Sequence, residues 1–292
     1  MADKGARGAL VVSIVLVLVG SVSAGFFSDY NILWGPQNIR VNDATGDVQI
    51  QMANNDSAGV SFASKASYLF GSFSVKYKLV PDDSAGTVTA FFLHSDTPKW
   101  DEIDFEFLGN VSGQPYLMHT NIFADGVGGR ESQFFLWFDP TAGYHNYTIL
   151  WNRHQVVWLV DSVPVRVHVN SDPSVFPHKT PLHAHGTIYD ASTWATRGGA
   201  VPLDWSHAPF VVSYRDFTYE ACMTSPSGDA TACAQTMGGA WEQPQFQSLS
   251  TIQRMLLRGV RSRYMTYDYC LDRGRYPTLP AECVANAAAY SM

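Results

Sequence analysis

Three carboxylates occupy alternate positions in Trp100-Asp101-Glu102-Ile103-Asp104-Phe105-Glu106-Phe107-Leu108-Gly109, with Ile103, Phe105 and Phe107 between and after them. A β-strand sends successive side chains to opposite faces. The segment would therefore present Glu102, Asp104 and Glu106 on one face and three apolar side chains on the other. Like charges on one strand face repel, so the arrangement suggests a use. Cα atoms four residues apart on a strand lie ~13 Å from each other. Glutamate side chains that lean together would bring two carboxylates to roughly 5–6 Å, the separation of a retaining glycosidase pair. One would attack an anomeric carbon, while the other protonated the leaving oxygen and later deprotonated the incoming group. Asp104 is expected to hydrogen-bond to a neighbour and to keep the acid protonated by like-charge repulsion. A calcium loop is the first rival, but the EF-hand spacing with glycine at its sixth position is absent. A plain solvated acidic face is the second.

The surrounding chain reads as β-structure. Phe73, Val75, Tyr77 and Leu79 alternate with Ser74, Lys76 and Lys78, the pattern of a half-buried strand. A turn at Pro81-Asp82-Asp83-Ser84-Ala85-Gly86 leads to a second strand over Thr87–His94. Trp151, Val156–Val160 and Val163–Val169 read as strands, the last two forming a hairpin around Asp161-Ser162. Short strands with frequent Gly, Pro, Asn and Asp punctuation indicate an all-β fold, a curved antiparallel sandwich or jelly roll. The pattern changes near residue 216. Leu249, Ile252, Leu256 and Val260 recur at helical spacing, and Tyr264–Tyr269 reads as a returning strand. The expected organisation is a signal peptide over 1–24, a jelly-roll catalytic domain over 25–215 and a short stapled extension with one helix over 216–292.

Composition narrows the function. The 292 residues carry a formal charge of −7. Asp3, Lys4 and Arg7 contribute +1, so a chain trimmed after Ala24 carries −8. An acidic chain with no Lys/Arg block is a poor nucleic-acid binder. Lys4 and Arg7, the apolar run Ala9–Val19 and the small residues Val22-Ser23-Ala24 form a secretory signal, too short for a membrane span. Secretion is the expectation. Four late cysteines (Cys222, Cys233, Cys270, Cys283) fit two disulfides in an oxidising compartment, with three pairings open. Acceptor triplets for N-glycans stand at Asn55, Asn110 and Asn146, and Asn110, after the strand end at Gly109, is the strongest.

The segment Asp101–Asn110 closely resembles the signature of the xyloglucan endotransglucosylase/hydrolases of glycoside hydrolase family 16. Further blocks agree in order: Ser84-Ala85-Gly86-Thr87-Val88-Thr89-Ala90, Leu136-Trp137-Phe138-Asp139-Pro140, Trp194-Ala195-Thr196-Arg197-Gly198-Gly199, Asp204-Trp205, Ala208-Pro209-Phe210, Arg275–Pro280 and Glu282-Cys283. The resemblance runs from about Trp34 to Cys283. It implies a curved jelly roll with a long open cleft, disulfides Cys222–Cys233 and Cys270–Cys283, and a glycan at Asn110. It also implies Glu102 as nucleophile, Glu106 as acid/base and Asp104 as the assisting carboxylate. Glucan contacts are expected from His119, Thr120, Asn121, Gly129, Arg130, Glu131, Trp194, Gly198 and Arg275. The expected partners are xyloglucan donor and acceptor chains in the apoplast and cell wall, acted on by a monomer with no cofactor and no metal; His183 and His185 form an H-x-H without a third ligand.

The chain departs from the family pattern along the cleft. Phe92 replaces a Tyr, His94 a Ser, Trp100 a His, His119 a Gln and Tyr189 a Trp. Hydrolytic members tend to carry a longer loop after the strand holding Asn121; here Phe123–Arg130 is short. An acceptor sugar bound in line then outcompetes water, and the expectation is transglycosylation in wall loosening and remodelling. The alternatives are a xyloglucan or mixed-linkage endohydrolase and, from another class, a wall lectin that binds without cutting.

Overall fold

The computed structural model describes residues 25–54, 59–225, 227–235 and 239–291. The expected signal segment 1–24 and the Asn55 triplet lie outside the described residues. The strands among them are β1 (Tyr30–Trp34), β2 (Ile39–Asn42), β3 (Asp47–Met52), β4 (Gly59–Ser64), β5 (Tyr68–Lys78), β6 (Thr87–His94), β7 (Glu102–Leu108), β8 (Leu117–Phe123), β9 (Ser132–Phe135), β10 (His145–Trp151), β11 (Gln155–Val160), β12 (Val163–Val169), β13 (His183–Asp190), β14 (Phe210–Met223) and β15 (Met265–Asp268). They form two antiparallel sheets. The eight-stranded sheet runs β1-β4-β13-β6-β7-β8-β9-β15, and the seven-stranded sheet β12-β11-β10-β5-β14-β3-β2.

Alternation explains how the sheets meet. Phe73, Val75 and Tyr77 of β5 and Tyr147 and Ile149 of β10 are fully buried, as are Ile103, Phe105 and Phe107 of β7. Tyr77 stacks on Tyr147 with ring centroids 4.1 Å apart and meets the edge of Phe107 at 5.1 Å. These aromatic contacts join the two inner faces and fix which side of β7 looks outward. The β11–β12 hairpin turns at Asp161 and Ser162, at φ 47° and 67°, the left-handed pair of a tight hairpin turn. Bulges bend the sheets, as where β14 slips register against β5 between Arg215 and Thr218.

The segment after 215 is woven into the sandwich. β14 runs through the expected boundary at 215/216, and β15 adds the eighth strand beside β9. Among the described residues the α-helices are α1 (Phe26–Asp29), α2 (Thr231–Gln235), α3 (Thr251–Tyr264) and α4 (Glu282–Tyr290). Ser250 starts α3 with a reciprocal capping box to Gln253. The face that α3 buries differs from the expected one. Leu257 and Val260 are buried with Leu249 just before the helix, whereas Ile252 is 70% and Leu256 43% exposed. Leu249 and Leu257 pack on the outward side chains Leu150, Val157 and Val167 of the seven-stranded sheet. The pairs Cys222–Cys233 and Cys270–Cys283 are disulfide-bonded.

Candidate active site

β7 lies in the middle of the eight-stranded sheet, and its register sets the site. Glu102 is opposite His94 on β6 and Phe123 on β8; Asp104 is opposite Phe92 and Asn121; Glu106 is opposite Ala90 and His119. Directly opposed residues share a sheet face, so these three rows form the floor of one outer surface. β13 extends them, with His183 beside His94 and His185 beside Phe92. Phe92 and His185 stack at 4.7 Å. Trp158 on β11 reaches through the core and donates from Nε1 to the carbonyl of Asp104 at 2.8 Å, anchoring the carboxylate strand from below.

Both glutamates are about four-fifths shielded from solvent, and Asp104 is 4% exposed. Burial raises the carboxyls of Glu102 and Glu106 to about 7. Glu102 is held back by a hydrogen bond from Asp104, while the charges of Glu102 and Glu131 raise Glu106 further. Burial, followed by the charges of both glutamates, pushes Asp104 well above the usual carboxylate range. A protonated Asp104 donates to Glu102 and favours its charged form. Asp104 therefore bears on its neighbour Glu102, while the repulsion that raises Glu106 comes from Glu102 and Glu131.

Two imidazoles flank the pair. His94 Nε2 is 3.7 Å from Oε2 of Glu102, and His119 Nδ1 is 3.4 Å from Oε2 of Glu106. Burial lowers His119 to about 4, leaving it neutral near pH 5–7. Tyr189 on β13 is close enough for the three carboxylates to raise its phenol, after burial has done so. His183 Nδ1 is 2.7 Å from the carbonyl of Ser64.

The remaining expected contacts divide into two groups. Asn121 lies in the Asp104 row, its Oδ1 accepting from the backbone N–H of Ile122 and Arg130. Glu131 and Arg275 form a two-point ion pair at 2.7 and 3.2 Å. Gly129, at φ +84°, is bound by the Tyr276 hydroxyl through its carbonyl, and a Cβ there would stand 2.7 Å from that oxygen. Trp194 is 38% exposed, with its ring 6.5 Å from His119. Gly198 lies in an open turn at φ +68°. Thr120 and Arg130 differ. Thr120 is opposite Phe105, hence on the core side, and is fully buried between the Ser132 carbonyl and Arg166. Arg130 is buried against Glu282 at 3.0 Å. The expectation that these two side chains touch glucan is corrected: both are structural.

Sequence reasoning missed Arg166, Trp158 and Glu282. Arg166 is a buried cation under the site, donating to the Thr120 carbonyl at 2.8 Å and to the Arg130 carbonyl, and its guanidinium lies 4.6 Å from the Trp158 ring. A lone Arg among Val163, Val165 and Val167 was the available signal.

Residues 26–207 match the model of the glycosyl hydrolases family 16, and 235–283 match that of the xyloglucan endo-transglycosylase C-terminus. A probable xyloglucan endotransglucosylase/hydrolase protein of Nicotiana tabacum is 47% identical over 90% of this chain and 89% of its own. Xyloglucan endotransglucosylase protein 2 of Diospyros kaki is 48% identical over 90% and 88%. Among solved structures, the β-glucanase of Bacillus licheniformis superposes with a TM-score of 0.53 at 23% identity, covering 65% of this chain and 86% of that one. Apo Crh5 transglycosylase does so with 0.52 at 24%, covering 64% and 77%. Both share the fold. The chain belongs to glycosyl hydrolase family 16, and within it to the xyloglucan endotransglucosylase/hydrolases.

Proposed function

We propose that the protein is a secreted, retaining endotransglucosylase that cuts the β-1,4-glucan backbone of xyloglucan and rejoins it to another xyloglucan chain. The observation that carries this reading is the outward row Glu102–Asp104–Glu106 on one strand, set on one face of the sheet by its register with β6 and β8. Glu102, aided by the Asp104 proton, is the carboxylate that attacks the anomeric carbon. Glu106, repelled by Glu102 and Glu131, gives its proton to the departing glycosidic oxygen. The result is an ester between Glu102 and the donor glucosyl unit, with Glu106 ionised. Glu106 then takes the proton of an acceptor hydroxyl, whose oxygen attacks the anomeric carbon and frees Glu102. Configuration is retained after two displacements, and no cofactor enters.

His119, Asn121, Gly129, Glu131, Trp194, Gly198 and Arg275 line or frame the path assigned to the glucan. Transfer is favoured over hydrolysis by the loop after β8. Ala124 and Val127 exchange backbone hydrogen bonds at 3.0 and 3.1 Å, closing a two-residue turn at Asp125 and Gly126 that keeps this loop short. Asn110, whose Nδ2 donates to the Pro115 carbonyl at 3.0 Å just past the catalytic strand, is the proposed glycan site. Incubation with xyloglucan and a labelled xyloglucan oligosaccharide tests the reading by product mass. Label in polymer supports it; reducing ends released without incorporation would assign a hydrolase, and neither product would assign a binding protein.

A further inference from the structure

On the side of the molecule away from the glutamates, the outer face of the seven-stranded sheet holds a second cavity of about 240 Å³. Its floor is a patch of short hydroxyl side chains, Ser72 and Ser74 on β5 and Thr148 on β10. Ser74 and Thr148 hydrogen-bond each other across the strands at 2.6 Å. Its walls are Trp241 and Phe246, which belong to the segment matched by the family's C-terminal model. The depression exists because the floor residues are short where their strand neighbours Leu150, Val157 and Leu159 are long.

The lining chemistry is specific. Glu220 is the one charged residue in it. The Glu220 carboxylate, the Gln245 amide and the Ser248 hydroxyl stand exposed at it, and Ser72 and Trp241 are half-buried in its lining. An aromatic wall, neutral donors and acceptors, and one carboxylate match a pyranose ring, which offers an apolar C–H face and a rim of hydroxyls. A cation would leave most of these groups unused, and an anion would meet Glu220. The cavity is smaller than the ~300–1,000 Å³ of drug-sized sites, a size that suits one sugar residue.

We propose that this back-face cavity is a second carbohydrate site that seats a single neutral glycosyl residue on Trp241. It is separate from the catalytic cleft and does not depend on the transferase reading. The sugar has two possible sources of the same chemistry. One is a side-branch or terminal residue of a wall polysaccharide. The other is the first residue of an N-glycan on Asn146, which lines the same cavity and lies in the acceptor triplet Asn146-Tyr147-Thr148.

The test is saturation-transfer NMR on the full secreted chain with methyl β-glucoside, xylose and N-acetylglucosamine as probes. Wild type, Trp194→Ala and Trp241→Ala are compared, with glycopeptide mass spectrometry of the Asn146 peptide. Transfer to at least one probe should survive Trp194→Ala and fall threefold or more in Trp241→Ala, while turnover of soluble oligosaccharides by Trp241→Ala stays within twofold. Should Trp241→Ala fold poorly, Ser72→Phe fills the floor instead and should abolish the same signal. A glycan on Asn146, with probe binding appearing only in Asn146→Gln, assigns the attached source. An unmodified Asn146, with glucoside or xylose bound by wild type, assigns the polysaccharide source. The proposal is overturned if Asn146 is bare and every probe signal vanishes with Trp194→Ala, or if Trp241→Ala and Ser72→Phe leave all signals unchanged.

Discussion

His119 and Glu106 stand opposite each other on neighbouring strands, with Nδ1 of the imidazole 3.4 Å from Oε2 of the carboxylate. Neither ring nitrogen has a hydrogen-bond partner among the described residues, and burial lowers the imidazole to about 4. With its proton on Nδ1, a neutral His119 would aim that N–H at the ionised Glu106 that each turnover creates, 3.4 Å away. In His119→Ala that support is lost and the Glu106 pKa rises. The basic limb of the kcat/KM profile, which reports the acid, should move up by about 0.5–1 pH unit, and His119→Gln should restore it. A limb that stays put in His119→Ala would remove His119 from the proton balance.

Glu106 costs the fold stability for its function. Its carboxyl is raised from 4.5 to about 7. A raised acid binds more protons in the folded state, so its contribution is fully present below pH 4.5 and is lost as pH rises through 7. Glu106→Gln should abolish transfer and, at pH 7.5, stabilise the protein by about 1–3 kcal/mol, a gain of a few degrees in Tm. Near pH 4 the gain should vanish. Thermal melts at both pH values check the sign, and an equal gain at both would attribute it to packing.

Much of this site was legible because strand parity is strict. The alternation Glu102, Asp104, Glu106 against Ile103, Phe105, Phe107 oriented β7 from sequence alone. The same parity, carried to the neighbouring strand, separates His119 and Asn121 from Thr120, which family resemblance had grouped together. Other features depend on partners distant in sequence. Arg130 is explained only by Glu282, and Arg166 only by the carbonyls of Thr120 and Arg130. Helix α3 was misoriented because Ile252, Met255 and Leu256 make a second apolar stripe beside the one that packs on Leu150 and Val157. Periodicity cannot choose between two stripes when the covering sheet face is unknown.

The pair Arg130–Glu282 ties the cleft loop to the start of α4 and is buried on both sides. Removing one partner strands the other, at a cost of about 3–5 kcal/mol. Glu282→Ala should lower Tm sharply and raise KM, as the loop bearing Gly129 and Glu131 loosens. The double variant Arg130→Met/Glu282→Leu should recover most of the Tm. Equal losses in the single and double variants would show that the pair is not held as a unit.

The two disulfides should not be equivalent. Each closes a short loop, with sequence separations of 11 and 13, worth about 3 kcal/mol by chain entropy. Cys283 adjoins Glu282, so replacing Cys270 and Cys283 by serine should lower transfer activity as well as Tm. Replacing Cys222 and Cys233 should lower Tm with little change in kcat below the melt. Equal activity losses, measured well below both melts, would contradict the proposed route from Cys283 through Glu282 to the cleft.

The central claim is that Glu102 holds the sugar covalently while Glu106 handles the proton. An activated xyloglucan oligosaccharide donor with fluorine at C2 of the reacting glucose slows breakdown of such an ester, and peptide mass mapping after quenching locates it. The account predicts one glycosyl adduct, on the peptide carrying Glu102 and at that residue. An adduct on Glu106, or turnover with inverted anomeric configuration and no adduct, would contradict it.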